Sequence, residues 1–166
     1  MFRSFRVCFL LTCLALATRP ATLDFEGLSD GIVLTSEYSG VSFSNAIILT
    51  SGVSLNEFEF PPRSGTNVAS DDGGPMSINF ASAVSSFSGY FTYAEPLTIS
   101  AFSNSNVLLS STISPFSDNE AMSGFSGSSP NELLQISSSI GISYIRITGD
   151  PFGSSFTIDD AMTCPL

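Results

Sequence analysis

The sequence predicts an all-β protein built as an antiparallel β-sandwich, and two observations support this. Short runs rich in Val, Ile, Phe, Tyr and Thr are separated by Ser, Gly, Asn, Asp and Pro clusters about every 8 to 12 residues, a spacing typical of sandwiches and barrels. No stretch keeps an apolar period of about 3.6 residues over three turns, so almost no helix is expected.

The predicted strands show period-two alternation, which separates a core face from an outward face. By this pattern Ile78, Phe91, Ile147 and Phe156 belong to the core. Long turn-rich connections are typically functional or mobile loops. In chain order, the predicted strands cover residues 22–26, 41–49, 67–70, 76–80, 85–93, 96–103, 107–113, 132–137, 142–148 and 154–160, and the longest connections are 51–66 and 114–131.

The N-terminus has the features of a secretory signal peptide. Residues 1–6 contain two arginines and no acid, residues 7–17 are apolar, and that run ends in Ala-Leu-Ala. It is too short to span a bilayer, which needs about 20 residues. The sequence therefore predicts a signal peptide at 1–17 and one mature domain at 18–166 that is secreted or displayed at the cell surface. Cleavage after Ala21 and a buried N-terminal strand or helix are the alternatives.

The charge of the mature chain limits its partners. Removal of residues 1–17 leaves three arginines against all 15 acidic residues, a net charge of −12, with no lysine or histidine. Such a surface repels phosphate backbones and anionic lipids and attracts cations, so nucleic acid and a membrane are not expected partners. Only Cys164 remains, which excludes an internal disulfide.

The composition also argues against an enzyme. Without histidine there is no Ser-His-Asp or Cys-His site, and without lysine there is no Schiff-base chemistry. Two carboxylates could still hydrolyse a glycosidic bond, and the nominal pairs are Glu57 with Glu59 and Glu95 with Glu120. No pattern of aromatic and hydroxyl-binding residues surrounds these pairs, so a glycoside hydrolase is the weakest interpretation.

Acidic residues at both ends of the domain form a candidate metal site. Asp24 and Glu26 share the outward face of the first predicted strand, and Asp159, followed by Asp160, faces outward on the last. First and last strands of a sandwich commonly lie near each other. Oxygen ligands without histidine or cysteine select Ca²⁺. The alternative is a pair of solvated acidic edge strands.

Three tyrosines are candidates for binding a sugar. Tyr90, Tyr93 and Tyr144 could stack against a pyranose ring, and the alternation places Tyr90 and Tyr144 outward. Against this interpretation, the chain has no tryptophan, and single outward tyrosines are common cross-strand partners in sheets.

The two terminal motifs, DFEG at 24–27 and FTIDD at 156–160, resemble those of jelly-roll, galactose-binding-like domains in many carbohydrate-binding modules. The segments between them are similar to exported bacterial proteins of the PEP-CTERM sorting type: DFEGL to GVSF at 24–43, NEFEFPPRSGTNV at 56–68, DDGGPMSINF at 71–80 and FSGYFTY at 87–93. The Pro-Glu-Pro signal that gives that type its name is not found, since the chain ends at Cys164-Pro165-Leu166.

The resemblance implies a jelly-roll fold with a structural calcium between the first and last strands. Its ligands would be the Asp24 carbonyl, the Glu26 and Asp159 side chains, and a loop carbonyl near residues 65–67. The sequence thus predicts a non-catalytic exported surface or extracellular-matrix domain, with a glycan-binding module as the alternative. A stripe of exposed Tyr beside Asn, Gln or Arg would indicate the glycan binder, and a concave pocket with two acids would indicate an enzyme.

Overall fold

A computed structural model of the protein describes residues 20–166, and the predicted signal peptide at 1–17 lies outside the described residues. The described part forms strands and no helix, which confirms the all-β prediction, and accordingly it contains no helix capable of crossing a membrane. The strands are β1 Ala21–Leu23, β2 Val41–Ser44, β3 Ala46–Thr50, β4 Asn67–Asp72, β5 Met76–Tyr93, β6 Thr98–Phe102, β7 Leu108–Ile113, β8 Glu132–Thr148 and β9 Gly153–Pro165.

Two long strands, β5 and β8, take part in both layers of the sandwich. Near its start β5 lies between β2 and the end of β8, whereas further along it lies between the start of β8 and β9. The register between β5 and β8 shifts between these two parts, and bulges of this kind let a strand bend from one layer into the other. Residues 76–80 and 85–93, predicted as separate strands, are therefore one strand, and so are 132–137 and 142–148.

Each layer has its own strand order. We call the layer β7–β6–β8–β5–β2 sheet 1; it uses residues 144–148 of β8 and 76–80 of β5. We call the layer β3–β4–β9–β5–β8 sheet 2; it uses residues 84–93 of β5 and 132–142 of β8, and β1 pairs with β9 at its edge.

The chain passes from sheet 1 to sheet 2 at a single residue between β2 and β3. Asn45 has a φ of 56°, a left-handed conformation that Asn tolerates better than most residues. The predicted strand 41–49 is therefore broken there, since β2 pairs with β5 while β3 pairs with β4.

The core lies between the two sheets and follows the predicted alternation. Ile78, Phe91 and Ile147 are fully buried, and Phe156 is 1% exposed. The Phe91 and Phe156 rings lie 6.2 Å apart at 50°. Full burial of such a side chain contributes about 1.5–3 kcal/mol relative to leaving it exposed. The predicted core face of these strands is confirmed.

The two long connections fall where they were predicted, at 51–66 and 114–131, and they pack against each other. The main-chain N–H of Ala121 donates to the carbonyl of Glu59 (2.9 Å), and the Asn131 side chain donates to the carbonyl of Pro61 (2.9 Å). The N–H groups of Met122 and Ser123 both donate to Glu59 Oε2, at 3.0 and 3.2 Å. The Glu59 carboxylate therefore helps to join the loops.

Candidate functional site

The outward face of sheet 1 includes two cross-strand rows of side chains that span all five strands. The side chains of these rows point to one side because residues alternate along each strand and neighbouring strands keep their register. From β7 to β2, one row is Ser111, Ser100, Arg146, Ser77 and Ser44, and the other is Leu108, Phe102, Tyr144, Asn79 and Ser42.

An aromatic pair stands in the middle of the second row. The Phe102 and Tyr144 rings are stacked with centroids 4.7 Å apart and an interplanar angle of 8°. The spacing matches the distance of about 4.8 Å between neighbouring strands, so each ring stands upright on its own strand. The Tyr144 hydroxyl lies 3.2 Å from Asn106 Oδ1, to which it donates a hydrogen bond. Because Phe102 covers one face of Tyr144, the other face is turned toward Asn79, its register partner on β5.

Arg146 lies two residues from Tyr144 on β8 and is exposed. Its guanidinium carbon is 5.9 Å from the centre of the Phe102 ring, within the range of a cation–π contact. The only ion pair among residues 20–166 joins Arg63 to Asp160, so Arg146 has no carboxylate partner within that part of the chain. Its N–H donors are available to a ligand.

A surface depression of about 350 Å³ borders the β2 end of the second row. It shares two residues with that row, Ser42 and Asn79, and the rest of its wall comes from the loop before β2, from Val41 at the start of β2, and from β5. Its lining carries hydroxyl and amide groups beside aromatic side chains, a mixture suited to a polar ligand with apolar faces. The lining residues are Ser36, Tyr38, Ser39, Gly40, Val41, Ser42, Asn79, Phe80 and Ala81.

The structure places the three predicted tyrosines in three different environments. Tyr144 lies on the face described above. Tyr90 lies on the outward side of sheet 2, where the Arg63 guanidinium carbon sits 3.4 Å from the centre of its ring and covers it. Tyr93 is fully buried and its hydroxyl donates to Glu132, so its prediction as a sugar-binding residue is wrong. Burial raises the pKa of Tyr93 above its ordinary value.

The error at Tyr93 has a simple physical cause. Residues 87 and 91 of β5 face the core, and residue 93 has the same parity and therefore the same direction. Phe102, Asn79 and Arg146 were missed, although the alternation that placed Tyr144 outward applies to them equally. The sequence does contain a feature that could have identified these three residues. Each is a large or hydrogen-bonding side chain at an outward strand position, and the other outward positions of these strands are mostly the small residues Ser and Thr.

The two ends of the domain meet, because β1 pairs with β9 and Leu23 lies opposite Ala161. Glu26 Oε1 accepts the main-chain N–H groups of Thr66 and Asn67, each at 2.9 Å. Asp159 Oδ2 accepts those of Arg63 (2.8 Å) and Ser64 (3.0 Å), which belong to the same loop. The two carboxylates therefore hold the end of the 51–66 loop and the start of β4.

Asp159 does not face solvent as predicted, since it is only 1% exposed. It points away from the core, but the 51–66 loop covers it. Burial raises the pKa of Asp159 to about 6, although hydrogen bonds from the N–H groups of Ser64, Asp160 and Arg63 lower it. Asp160 bonds to the side chains of the same two loop residues: its Oδ2 lies 3.3 Å from the Arg63 guanidinium, and its Oδ1 accepts the Ser64 hydroxyl at 3.0 Å.

Asp24 is exposed and accepts the N–H of Glu26 at 3.3 Å. Burial raises the pKa of the Tyr38 hydroxyl to about 12, and the negative charges of Asp24, Glu26 and Asp159 raise it further. In residues 20–166, no group of three or more His, Cys, Asp or Glu side chains is arranged to hold a metal ion. The ligand set implied by the resemblance has only two carboxylate side chains and otherwise main-chain carbonyls, so calcium stays a prediction.

A second depression, of about 340 Å³ on sheet 2, includes the adjacent acids Asp71 and Asp72 in its wall. The Asp71 carboxylate is buried and accepts the N–H and hydroxyl of Ser155 (2.8 and 2.9 Å) and the N–H of Phe156 (3.0 Å). Adjacent residues of a strand point to opposite sides, and Asp72 is exposed. These two acids therefore do not face one ligand as a catalytic pair.

Comparison with known proteins identifies the fold. No family model and no curated protein matches the chain. The K1 cleaved adhesin domain of Lys-gingipain from Porphyromonas gingivalis superimposes with a TM-score of 0.53 at 8% identity, covering 90% of this chain and 99% of that domain. The chain is an antiparallel jelly-roll β-sandwich. A family 11 carbohydrate-binding module from Clostridium thermocellum, solved with a mixed-linked tetrasaccharide, gives 0.40 at 11% identity, with coverages of 88% and 95%. The resemblance to PEP-CTERM-type proteins stays a prediction.

Proposed function

We propose that this protein is a non-catalytic module that binds an extracellular glycan on the outward face of sheet 1. The observation that supports this most directly is the stacked Phe102–Tyr144 pair, whose free Tyr144 face is turned toward Asn79. The apolar face of a pyranose ring packs against an aromatic ring, while its hydroxyls need amide, hydroxyl or guanidinium partners. Asn79, Asn106 and Arg146 supply those partners beside the ring.

The size of the face favours an oligosaccharide over a single sugar. The second row crosses five strands, and at about 4.8 Å per strand spacing it extends roughly 19 Å. The depression next to Asn79 and Ser42 would accept one unit of the chain at the β2 end. The criterion of a stripe of exposed Tyr beside Asn, Gln or Arg is met only in part, because this face carries one Tyr, stacked on Phe102, beside Asn79 and Arg146.

The residues of this face are also the reason for proposing a binding role without catalysis. Glycoside hydrolysis needs two carboxyl groups on either side of the scissile bond. The strand segments that form sheet 1 contain no Asp or Glu. Of the nominal pairs in the sequence, Glu59 is already bonded to the N–H groups of Met122 and Ser123.

A glycan array followed by titration of the best ligand tests this proposal. We expect Tyr144→Ala and Phe102→Ala each to weaken binding at least tenfold, because the stacking surface is lost. Phe152→Ala is the matched control, since Phe152 is an aromatic residue that is 86% exposed in the turn before β9. Unchanged affinity in both sheet 1 variants, with their folding verified by circular dichroism, would exclude this face as the binding site.

We also propose one structural Ca²⁺ where β1 meets β9. The Asp24 carbonyl and the Glu26 and Asp159 side chains would hold it, with a loop carbonyl near residues 65–67, and Asp160 next to them. This is supported by the pairing of β1 with β9 and by the negative charges of Asp24, Glu26 and Asp159, each of which raises the pKa of Tyr38. Within residues 20–166, Asp24 accepts a hydrogen bond only at Oδ1 and Glu26 only at Oε1, which leaves the other oxygen of each for an ion. The ion would offset the repulsion among these charges.

Export of the protein remains a prediction, because it rests on residues 1–17.

A further inference from the structure

We propose that the glycan is acidic, carrying carboxylate or sulfate groups, and that Arg146 is the residue that selects it. This inference rests on the proposed glycan-binding function and adds the chemical class of the ligand. It starts from the distribution of charge over the molecule. The chain has 15 acidic and five basic residues, yet the strand segments of sheet 1 contain no acid and a single charged residue, Arg146.

This distribution creates a local surface that an anion can approach. A protein with a formal charge of −10 repels anionic polymers over most of its surface, so attraction requires a site where the local charge differs. Glu37 is adjacent in sequence to residues that line the depression, but its carboxylate accepts the N–H and hydroxyl of Thr35 (2.7 and 3.1 Å) within its own loop. The strands of sheet 1 thus carry one positive charge and no negative charge, on a protein that is acidic as a whole.

Within residues 20–166 Arg146 forms no ion pair, so its surroundings leave its hydrogen-bond donors available. Its register partners are Ser100 on β6 and Ser77 on β5, which are short and neutral, and its guanidinium carbon lies 5.9 Å from the centre of the Phe102 ring. A guanidinium group donates two parallel N–H bonds to a carboxylate or sulfate, which a neutral hydroxyl cannot match. Arg63 shows the opposite arrangement, because it is engaged with Asp160 and stacked on Tyr90.

The distance between Arg146 and the stacking surface fits a single acidic sugar. Two residues along a strand are separated by about 6.7 Å, so Arg146 and Tyr144 lie side by side on the same face. A uronate stacked on Tyr144 would place its carboxylate, or a sulfated sugar its ester, within reach of the guanidinium group. Neighbouring hydroxyl groups of the sugar would meet Asn79 and the serines of the first row.

The test uses two polymer pairs that differ only in charge. Polygalacturonate is compared with its methyl ester, and dextran sulfate is compared with dextran, by affinity electrophoresis or calorimetry with the folded protein. We expect at least tenfold tighter binding of one or both acidic polymers, weakening as NaCl is raised from about 0.05 to 0.5 M, because screening shortens the range of the attraction. Preference in the first pair identifies a carboxylate ligand, and preference in the second identifies a sulfate ligand.

Variants separate the charge from the stacking surface. Arg146→Gln should bring binding of the acidic polymer down to the level that the same variant shows for the neutral counterpart. Arg63→Gln is the control, because it removes the same charge from sheet 2 and should leave the preference intact. Equal binding of charged and neutral polymers by the unaltered protein would overturn this inference and leave the proposed function standing. If no polymer and no array glycan binds, the proposed function itself fails.

Discussion

The outward faces of the two sheets differ in what lies on them, although both are built from antiparallel strands. Sheet 1 is open, its outward positions are mostly Ser and Thr around one aromatic pair, and its only charge is Arg146. On sheet 2, the 51–66 loop covers Asp159 and Tyr90 with Arg63, and it packs against the 114–131 loop. One face is left for a ligand, and the other is used to anchor irregular backbone.

The difference shows what the acidic residues do in this protein. Loop backbone carries N–H groups that lose stability when they are buried without an acceptor, so a loop that lies on a sheet needs acceptors from that sheet. Glu26 and Asp159 each accept two main-chain N–H groups from the 51–66 loop or the start of β4, and Asp71 accepts two from residues 155 and 156 of β9. Among residues 20–166 no loop of this kind covers sheet 1, and the strands of sheet 1 contain no acid.

The largest expected effect is on stability when an anchor of sheet 2 is removed. Asp71→Ala leaves the buried N–H groups of Ser155 and Phe156 without their acceptor. Each unsatisfied buried group costs about 1–3 kcal/mol, so we expect the free energy of unfolding to fall by about 3 kcal/mol. Urea unfolding monitored by circular dichroism measures the change.

Its matched control is the next residue. Asp72→Ala removes an exposed carboxylate on the opposite side of the same strand, and we expect a change of about 0.5 kcal/mol or less. On sheet 1, Ser77→Ala should be equally mild. Equal costs for Asp71 and Asp72 would mean that the carboxylates of sheet 2 are solvated surface groups and that the contrast between the faces is wrong.

A second, somewhat smaller effect concerns the proposed calcium ion. An ion that binds only the native state raises stability by RT ln(1 + [L]/Kd), about 2.7 kcal/mol at a hundredfold excess over Kd. The thermal midpoint should therefore be higher with calcium than with chelator. Glu26→Gln and Asp159→Asn should each abolish the difference, whereas Asp72→Asn should keep it. If the unaltered protein melts identically in both buffers, hydrogen bonds alone hold this end of the domain.

The fold class could be predicted from the sequence because the features that indicate it, strand alternation and turn composition, involve residues close together in the chain. The alternation at Ile78, Phe91 and Phe156 gave the core face, and turn-rich composition gave the bounds of both long loops. The continuity of β5 could not be predicted, because the bend between residues 79 and 84 is set by which strands pair on either side of it. Such pairing depends on residues far apart in the sequence.

The candidate site was predicted in part, for the same reason. Tyr144 was placed outward by local alternation, and Tyr93 was included in the predicted set although its parity places it in the core. The burial of Asp159 has no local signal, because the N–H groups that cover it belong to residues 95 and 96 positions earlier. Covering loops are a tertiary feature, and they decide which outward positions remain accessible.

The smallest expected effect tests the anchoring of the 51–66 loop directly, through two glycines that both have a left-handed backbone. Gly65 has a φ of 53° and a Cβ added there would overlap the Glu26 carboxylate, whereas Gly27 has a φ of 77° and a Cβ there would meet nothing within 4 Å beyond its two chain neighbours. Both alanine variants lose about 1–2 kcal/mol from the backbone conformation. Gly65→Ala must also displace Glu26 from Thr66 and Asn67, so we expect it to cost about 1 kcal/mol more than Gly27→Ala.

A double-mutant cycle then isolates the contribution of Glu26. In a Glu26→Ala background there is no carboxylate to displace, so the extra cost of Gly65→Ala should disappear and the two glycine variants should become equally destabilising. Urea unfolding of the six proteins of this comparison measures the coupling. An extra cost that persists in the Glu26→Ala background would place the strain in the loop backbone. The acidic anchors would then have no part in shaping the covered face, and the openness of sheet 1 would need another explanation.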